Sequence, residues 1–329
     1  MISFLKFAGR HARLVLALGV MLGLILPGLG EYVGPALQVL VVLLLATAMI
    51  RVDLLGVLSH LRKPAKIGSL LLMLMLAMPL GVHAIATLLG LDPVLHLAVV
   101  LVACAPPLAS APSMAALLKL DDALVLNIMV LGTLMVPFTV PLIILNILDL
   151  PLDLDALSLL GRLVATIGAA ILTAIVVRKF IGNDRLRRHH DLMDGISALI
   201  MLVFAIVIMN GIGLTGMTDG PKVRQTLLVA LSANWGIHLI LLTLFILASG
   251  VFGRGYVASP EKGAIALMAG NRNAALFMAA LPAETLSSLL LFMALAQLPI
   301  YLTPLVAAPL YRAVLGKQRS DTSQGHSPS

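Results

Sequence analysis

Ala269-Gly270-Asn271-Arg272-Asn273-Ala274 is a polar, glycine-containing run in the middle of a segment, 261–281, that is otherwise apolar enough to cross a membrane. A counterpart lies about half a chain earlier, Ala105-Pro106-Pro107-Leu108-Ala109-Ser110-Ala111-Pro112-Ser113, inside the apolar segment 94–118. That run is not expected to stay helical, because each proline removes a backbone donor and its ring crowds the preceding turn. Gly270, Pro106, Pro107 and Pro112 are therefore read as the structural breaks. Two hydrophobic segments interrupted at corresponding places in two halves of a chain are the sequence mark of a secondary transporter's binding site.

Working outward, the composition removes most other classes. The chain is 60% hydrophobic and 11% charged, with a mean hydropathy of +1.08, which describes a polytopic membrane protein rather than a soluble domain. The basic excess does not point to nucleic acid, because the basic clusters flank apolar runs and lack interleaved aromatic residues. One cysteine, Cys104, offers neither a disulfide framework nor a cysteine metal site. Lys6, Arg10 and Arg13 before an apolar run resemble a secretory signal, but no small-residue cleavage site follows Leu26-Pro27-Gly28, so this run is read as a retained first helix.

The apolar runs fall at about 12–28, 34–50, 65–89, 94–118, 122–148, 157–181, 191–213, 225–252, 261–281 and 285–314. They give ten spans, most near the ~20 residues that cross the hydrocarbon layer. Threading the chain through ten spans puts eighteen Lys and Arg residues on the side of the amino terminus and three, Arg162, Lys222 and Arg224, on the other. That asymmetry predicts a multi-pass protein of the inner (plasma) membrane with both termini cytoplasmic. Asp92, Asp149, Asp153, Asp155 and Glu284 fall in the outer loops. The remaining basic residue, Arg272, is the one Asp, Glu, Lys or Arg that this topology places deep in the bilayer. An unpaired charge there costs at least ~2.5–3.5 kcal/mol, so carbonyls of the broken helices, cavity water or an anionic substrate must compensate it.

Ten spans divide into five plus five, and an odd number per half makes the repeats antiparallel. Repeat one covers about 12–148 and repeat two about 157–315, in a single transmembrane unit spanning 1–317, with a disordered cytoplasmic tail over 318–329. The spacing agrees: Pro106 to Pro137 is 31 residues and Gly270 to Pro299 is 29. The expected fold is thus all-α and integral to the membrane, with spans four and nine opened at mid-bilayer and crossing. Such a crossing gathers unpaired amides and unpaired carbonyls at one point, where an ion or substrate group can be held without many charges in lipid.

These residues resemble the bile acid:sodium symporter superfamily. The matching runs are CAPPLASAPSMAALLKLDDALVLNIMVLGTLMVPFTVPLI, from Cys104 to Ile143, and GNRNAALFMAAL from Gly270, with Gly34-Pro35 and Met78-Pro79 in support. The resemblance implies a core of spans 3–5 and 8–10 that moves against a panel of spans 1, 2, 6 and 7. It also implies a small anionic substrate, with sodium as coupling ion. Several sodium-site positions depart from the family pattern. Ala111 and Pro112 stand where a Ser-Asn pair is expected, Met268 and Arg272 replace an acid and a glutamine, and Leu74 replaces a glutamine; Thr133 alone keeps an oxygen. A guanidinium where a hard cation should sit reverses the local charge. The expectation is therefore no cofactor, with the sodium ligands replaced and Arg272 in the ion's space, holding the crossing helices or facing the substrate.

The polar residues expected at the substrate site are Arg272, Asn271, Asn273, Ser110, Ser113, Thr133, Asn234 and Gln297. Ser110 and Ser113 are equally suited to capping a half-helix, and Asn234, which shares a helix face with His238, to an interhelical hydrogen bond. No paired intramembrane carboxylates, His-Glu-x-x-His helix, Walker loop or Gly-x-Ser-x-Gly elbow occurs, so no enzyme is expected. The leading expectation is a secondary carrier of a small organic anion or bile-acid-like solute within a lipid bilayer, with no nucleic-acid partner; the sequence sets no oligomeric state. The alternatives are a cation/proton antiporter-like exchanger, for which an intramembrane carboxylate is missing, and a non-transporting membrane sensor.

Overall fold

The computed structural model describes residues 2–26, 28, 36–50, 64–148, 155–216, 218–252, 260–300, 302–303 and 306–311. Gly34-Pro35, the loop 51–63 with Arg51, Arg62 and Lys63, Asp149, Asp153, Arg254, Pro304, Arg312, and the tail 318–329 lie outside the described residues.

Every named element among the described residues is helical. In chain order, apart from the π-helical stretch Leu142–Ile147 and the short helix Asn183–Arg188, they are α1 (Ile2–Arg10), α2 (Ala12–Ile25), α3 (Leu37–Ile50), α4 (Pro64–Leu88), α5 (Pro93–Cys104), α6 (Ala111–Leu117), α7 (Asp122–Pro141), α8 (Ala156–Ile181), α9 (His190–Gly216), α10 (220–252), α11 (Pro260–Gly270), α12 (Ala275–Ala280) and α13 (Ala283–Ile300). Six stretches, Pro64–Leu88, Asp122–Leu145, Ala156–Ile181, Asp191–Met209, Gly220–Phe245 and Ala283–Ile300, are long and apolar enough to cross a membrane. The chain is an all-helical membrane protein. Six long helices rather than ten stand out because the expected first span is broken at His11, the fourth and ninth are each split into two short helices, and the second is described only from residue 36.

Local chemistry explains the helix starts. Asp92, Asp121, Asp155 and Asp219 each accept amides of the first turn that follows, at 2.8–3.3 Å, so the acidic residues of the loops act as N-caps. At Asp155 the Ser158 hydroxyl, donating at 2.6 Å, holds the carboxyl below the usual carboxylate range, so the cap persists as the pH falls to the ordinary carboxylate pKa. The first helix begins at Ile2 rather than near residue 12 and turns at His11, and both halves, α1 and α2, lie along α9. Glycine permits that contact: a Cβ on Gly195 would overlap the Leu5 carbonyl, and one on Gly19 or Gly23 would overlap the carbonyls of Leu202 or Ile206.

α4 and α10 each contain a π-turn, Met73–Ala77 and Ser232–Gly236. Such turns leave backbone groups out of register and mark places where a helix does something other than span. Both face the interrupted segments.

Candidate functional site

The two interruptions lie against each other. α5 ends at Cys104 and α6 starts at Ala111; α11 ends at Gly270 and α12 starts at Ala275. Between them, Leu108 donates its amide to the Asn271 carbonyl at 2.9 Å and Asn273 donates its own to the Pro106 carbonyl at 2.8 Å. Pro107 and Arg272 thus face one another as a single antiparallel bridge, so the two interruptions meet and are joined by backbone. Pro106 and Pro107 lie in the opening. Pro112 does not: it occupies the first turn of α6, where a missing amide costs nothing, so it starts a helix instead of breaking one.

Gly270 also has a role other than the expected one. It is the last helical residue of α11 and has no positive φ. A Cβ there would overlap the Asn234 carbonyl oxygen and come within 2.9 Å of His238 Cβ, so glycine is required by the close passage of α10. Gly270→Ala is expected to force the two helices apart and cost roughly 1–3 kcal/mol, read as a lower melting temperature of the purified protein.

Opening two helices orphans carbonyls, and Arg272 collects two of them together with a third from α4. Asn273, whose amide would have served the Ala269 carbonyl, is turned to Pro106, and Arg272 Nε donates to Ala269 at 3.1 Å instead. The Ala105 carbonyl, at the edge of the other opening, accepts from Nη1 at 3.0 Å. In α4, the π-turn commits the Met78 amide to the Met73 carbonyl, which leaves Leu74 to be served by residue 79. Residue 79 is proline, so Nη2 serves Leu74 at 2.9 Å and also donates to Met78 Sδ. The guanidinium is 1% exposed and ties α4, α5 and α11 together. No carboxylate pairs with it among the described residues, so its charge is solvated by neutral dipoles and is not cancelled.

Asparagines complete the frame. Asn234, in the α10 π-turn, donates Nδ2 to the Gly270 carbonyl at 2.8 Å, and Asn271 donates Nδ2 to the Leu267 carbonyl at 3.0 Å. Trp235 Nε1 donates to the Pro299 carbonyl and to Thr303 Oγ1, each at 3.1 Å. Thr133 donates to the Met129 carbonyl of its own helix at 2.7 Å. Arg272, Asn271, Asn234 and Thr133 therefore each spend side-chain donors on groups inside the protein.

The other four expected residues share a cavity of about 500 Å³. Asn273, Ser110, Ser113 and Gln297 line it beside Leu108 and Met129; Val41, Thr47, Met201 and Phe204 form the facing wall, and it extends to Gly9, Ala12 and Asp194. Asn273 is 8% exposed, and its side-chain amide has no hydrogen-bond partner among the described residues. A buried amide left without a partner costs about 1–3 kcal/mol, so it stands ready for something the cavity admits. Gln297 commits one N–H to the Met293 carbonyl at 3.3 Å and keeps its amide oxygen free of protein partners among the described residues.

Sequence reasoning missed the facing wall. Thr47 and Phe204 sit in uniformly apolar helices, and nothing local distinguishes them from lipid-facing neighbours. It also missed Leu74 as an acceptor, although Met78-Pro79 was a signal: a proline in a span announces a carbonyl without its amide.

No protein-family model matches the chain, and no curated protein is similar to it. The functional reading therefore rests on this geometry.

Proposed function

We propose that the chain is a secondary carrier of a small organic anion, working by alternating access in the inner (plasma) membrane without sodium. The observation that carries this reading is the uncancelled Arg272 charge at a backbone-joined crossing, one residue from an unpartnered Asn273 amide that lines a cavity. The Arg272 N–H groups named above serve carbonyls and a thioether, so it acts on an anion through its field, which a low-dielectric surround transmits well. Direct contact falls to the neutral donors Asn273, Ser113, Ser110 and Gln297. An apolar wall facing a few convergent polar groups suits an amphipathic anion.

In the resembling family a sodium ion would bring a positive charge here; in this chain a tethered guanidinium carries that charge permanently, and Met268 and Leu74 bring no ligand oxygen from their side chains. The cavity is walled by spans 1, 2 and 7 on one side and by spans 4, 5, 9 and 10 on the other, as a panel moving against a core requires. The ten-span topology puts Gly9 and Asp194 at the cytoplasmic side, so the cavity opens inward. Two inverted five-span repeats account for two breaks meeting at one point.

Uptake into proteoliposomes tests the reading. Taurocholate and short carboxylates, offered with choline as the cation, are expected to give saturable uptake by the reconstituted protein and none by empty vesicles. Ligand-induced thermal stabilisation without uptake would favour the sensor reading instead.

A further inference from the structure

His238 is the one histidine of the described spans that is almost wholly buried, at 3% exposure. It lies one turn beyond Asn234 on α10, beside Gly270. Its Nε2 stands 2.7 Å from Tyr311 Oη, and that hydroxyl donates to the Gly263 carbonyl at 2.9 Å. A phenol has one proton. With that proton on Gly263, Tyr311 can only accept from His238, so the imidazole carries its hydrogen on Nε2.

Nδ1 is then an unprotonated nitrogen with a lone pair, and it has no hydrogen-bond partner among the described residues. A ring needed only for packing could be phenylalanine. This one is held in the tautomer that leaves a base free, at the contact of α10, α11 and the 306–311 helix. The charged and titratable groups on the elements packed around it are Tyr311, in contact, Glu261 and Lys262 in the first turn of α11, and Arg272 just past its end. Glu261 is paired with Lys66.

We propose that His238 is the proton-binding site that couples this carrier to the pH gradient, an inference that rests on the carrier reading above. A proton from the aqueous phase binds Nδ1 and makes an imidazolium whose new N–H has no acceptor in this arrangement. The protonated form therefore favours an arrangement in which α10 or α11 has moved and water or another dipole reaches the ring. A proton that binds two arrangements unequally shifts their populations, which is the requirement for coupling. Asn234, one turn away and bonded to Gly270, links that movement to the crossing.

The test needs no substrate. Spin labels at Leu89→Cys, on the turn after α4, and Leu157→Cys, at the start of α8, are placed in a Cys104→Ala background in nanodiscs, and their distances are measured at about pH 8 and about pH 5.5, on either side of the ordinary imidazole range. Two distance populations are expected, with a ratio that changes roughly tenfold between the two conditions. His238→Gln keeps a donor for Tyr311 but cannot titrate, and is expected to abolish the change; Glu284→Gln, in the first turn of α13 and outside the cavity, is expected to leave it intact. Tyr311→Phe removes the acceptor that steadies the imidazolium, and is expected to move the transition to lower pH. Two populations that ignore pH, or a pH response that survives His238→Gln or disappears in Glu284→Gln, would overturn the proposal. A single population at every pH would count against the carrier reading itself and remove this inference with it.

Discussion

Arg272→Lys is expected to destabilise the protein almost as much as Arg272→Leu, by about 3 kcal/mol in each case. Leucine relieves the burial of a charge, at ~2.5–3.5 kcal/mol, but orphans the carbonyls of Ala105, Leu74 and Ala269 at about 2 kcal/mol each. Lysine keeps the buried charge yet offers one compact ammonium in place of a planar fork, and three acceptors drawn from α4, α5 and α11 are beyond its geometry. Melting temperatures of the purified variants check this, with both expected several degrees below the parent. A lysine variant as stable as the parent would show that charge alone, and not the fork joining three helices, is what the crossing requires.

Asn273→Leu should have the opposite signature. Its side-chain amide has no partner among the described residues and is 8% exposed, so an apolar side chain of similar volume is expected to leave the melting temperature unchanged or raise it. Uptake of the anion that the parent carries is expected to fall about tenfold or more, since losing one productive hydrogen bond of ~1.4 kcal/mol has that effect on an equilibrium. Stability gained as transport is lost is the pattern of a residue kept for function. A variant that melts several degrees lower, with transport reduced only in proportion to folded protein, would make Asn273 a structural residue.

The places where the helices open were legible in the sequence because proline and a polar run in an apolar span each have a local physical cause. Pro106 and Pro107 remove amides, and Asn271-Arg272-Asn273 cannot lie against lipid. Their meeting was legible only as a symmetry argument, since backbone bonds such as Asn273 to Pro106 leave no trace in residue identity. Pro112 misled because a proline at the first turn of a helix and a proline within one read alike until the start at Ala111 is known. The division of labour between Asn271, committed to Leu267, and Asn273, open to the cavity, was invisible for a similar reason: Asn271 is still bonded into the last turn of α11 while Asn273 lies past the bridge to Pro106, and residue identity does not mark where that turn ends. Gly270 was singled out as a break, and the steric demand of Asn234 and His238 behind it belongs to packing that only the fold supplies.

The central claim, that a tethered guanidinium takes the place of a coupling ion, meets its most direct test in the melting temperature of the purified protein in sodium chloride against choline chloride at equal ionic strength. The account predicts the same temperature in both across a wide range of salt. A saturable rise that follows sodium concentration would contradict it.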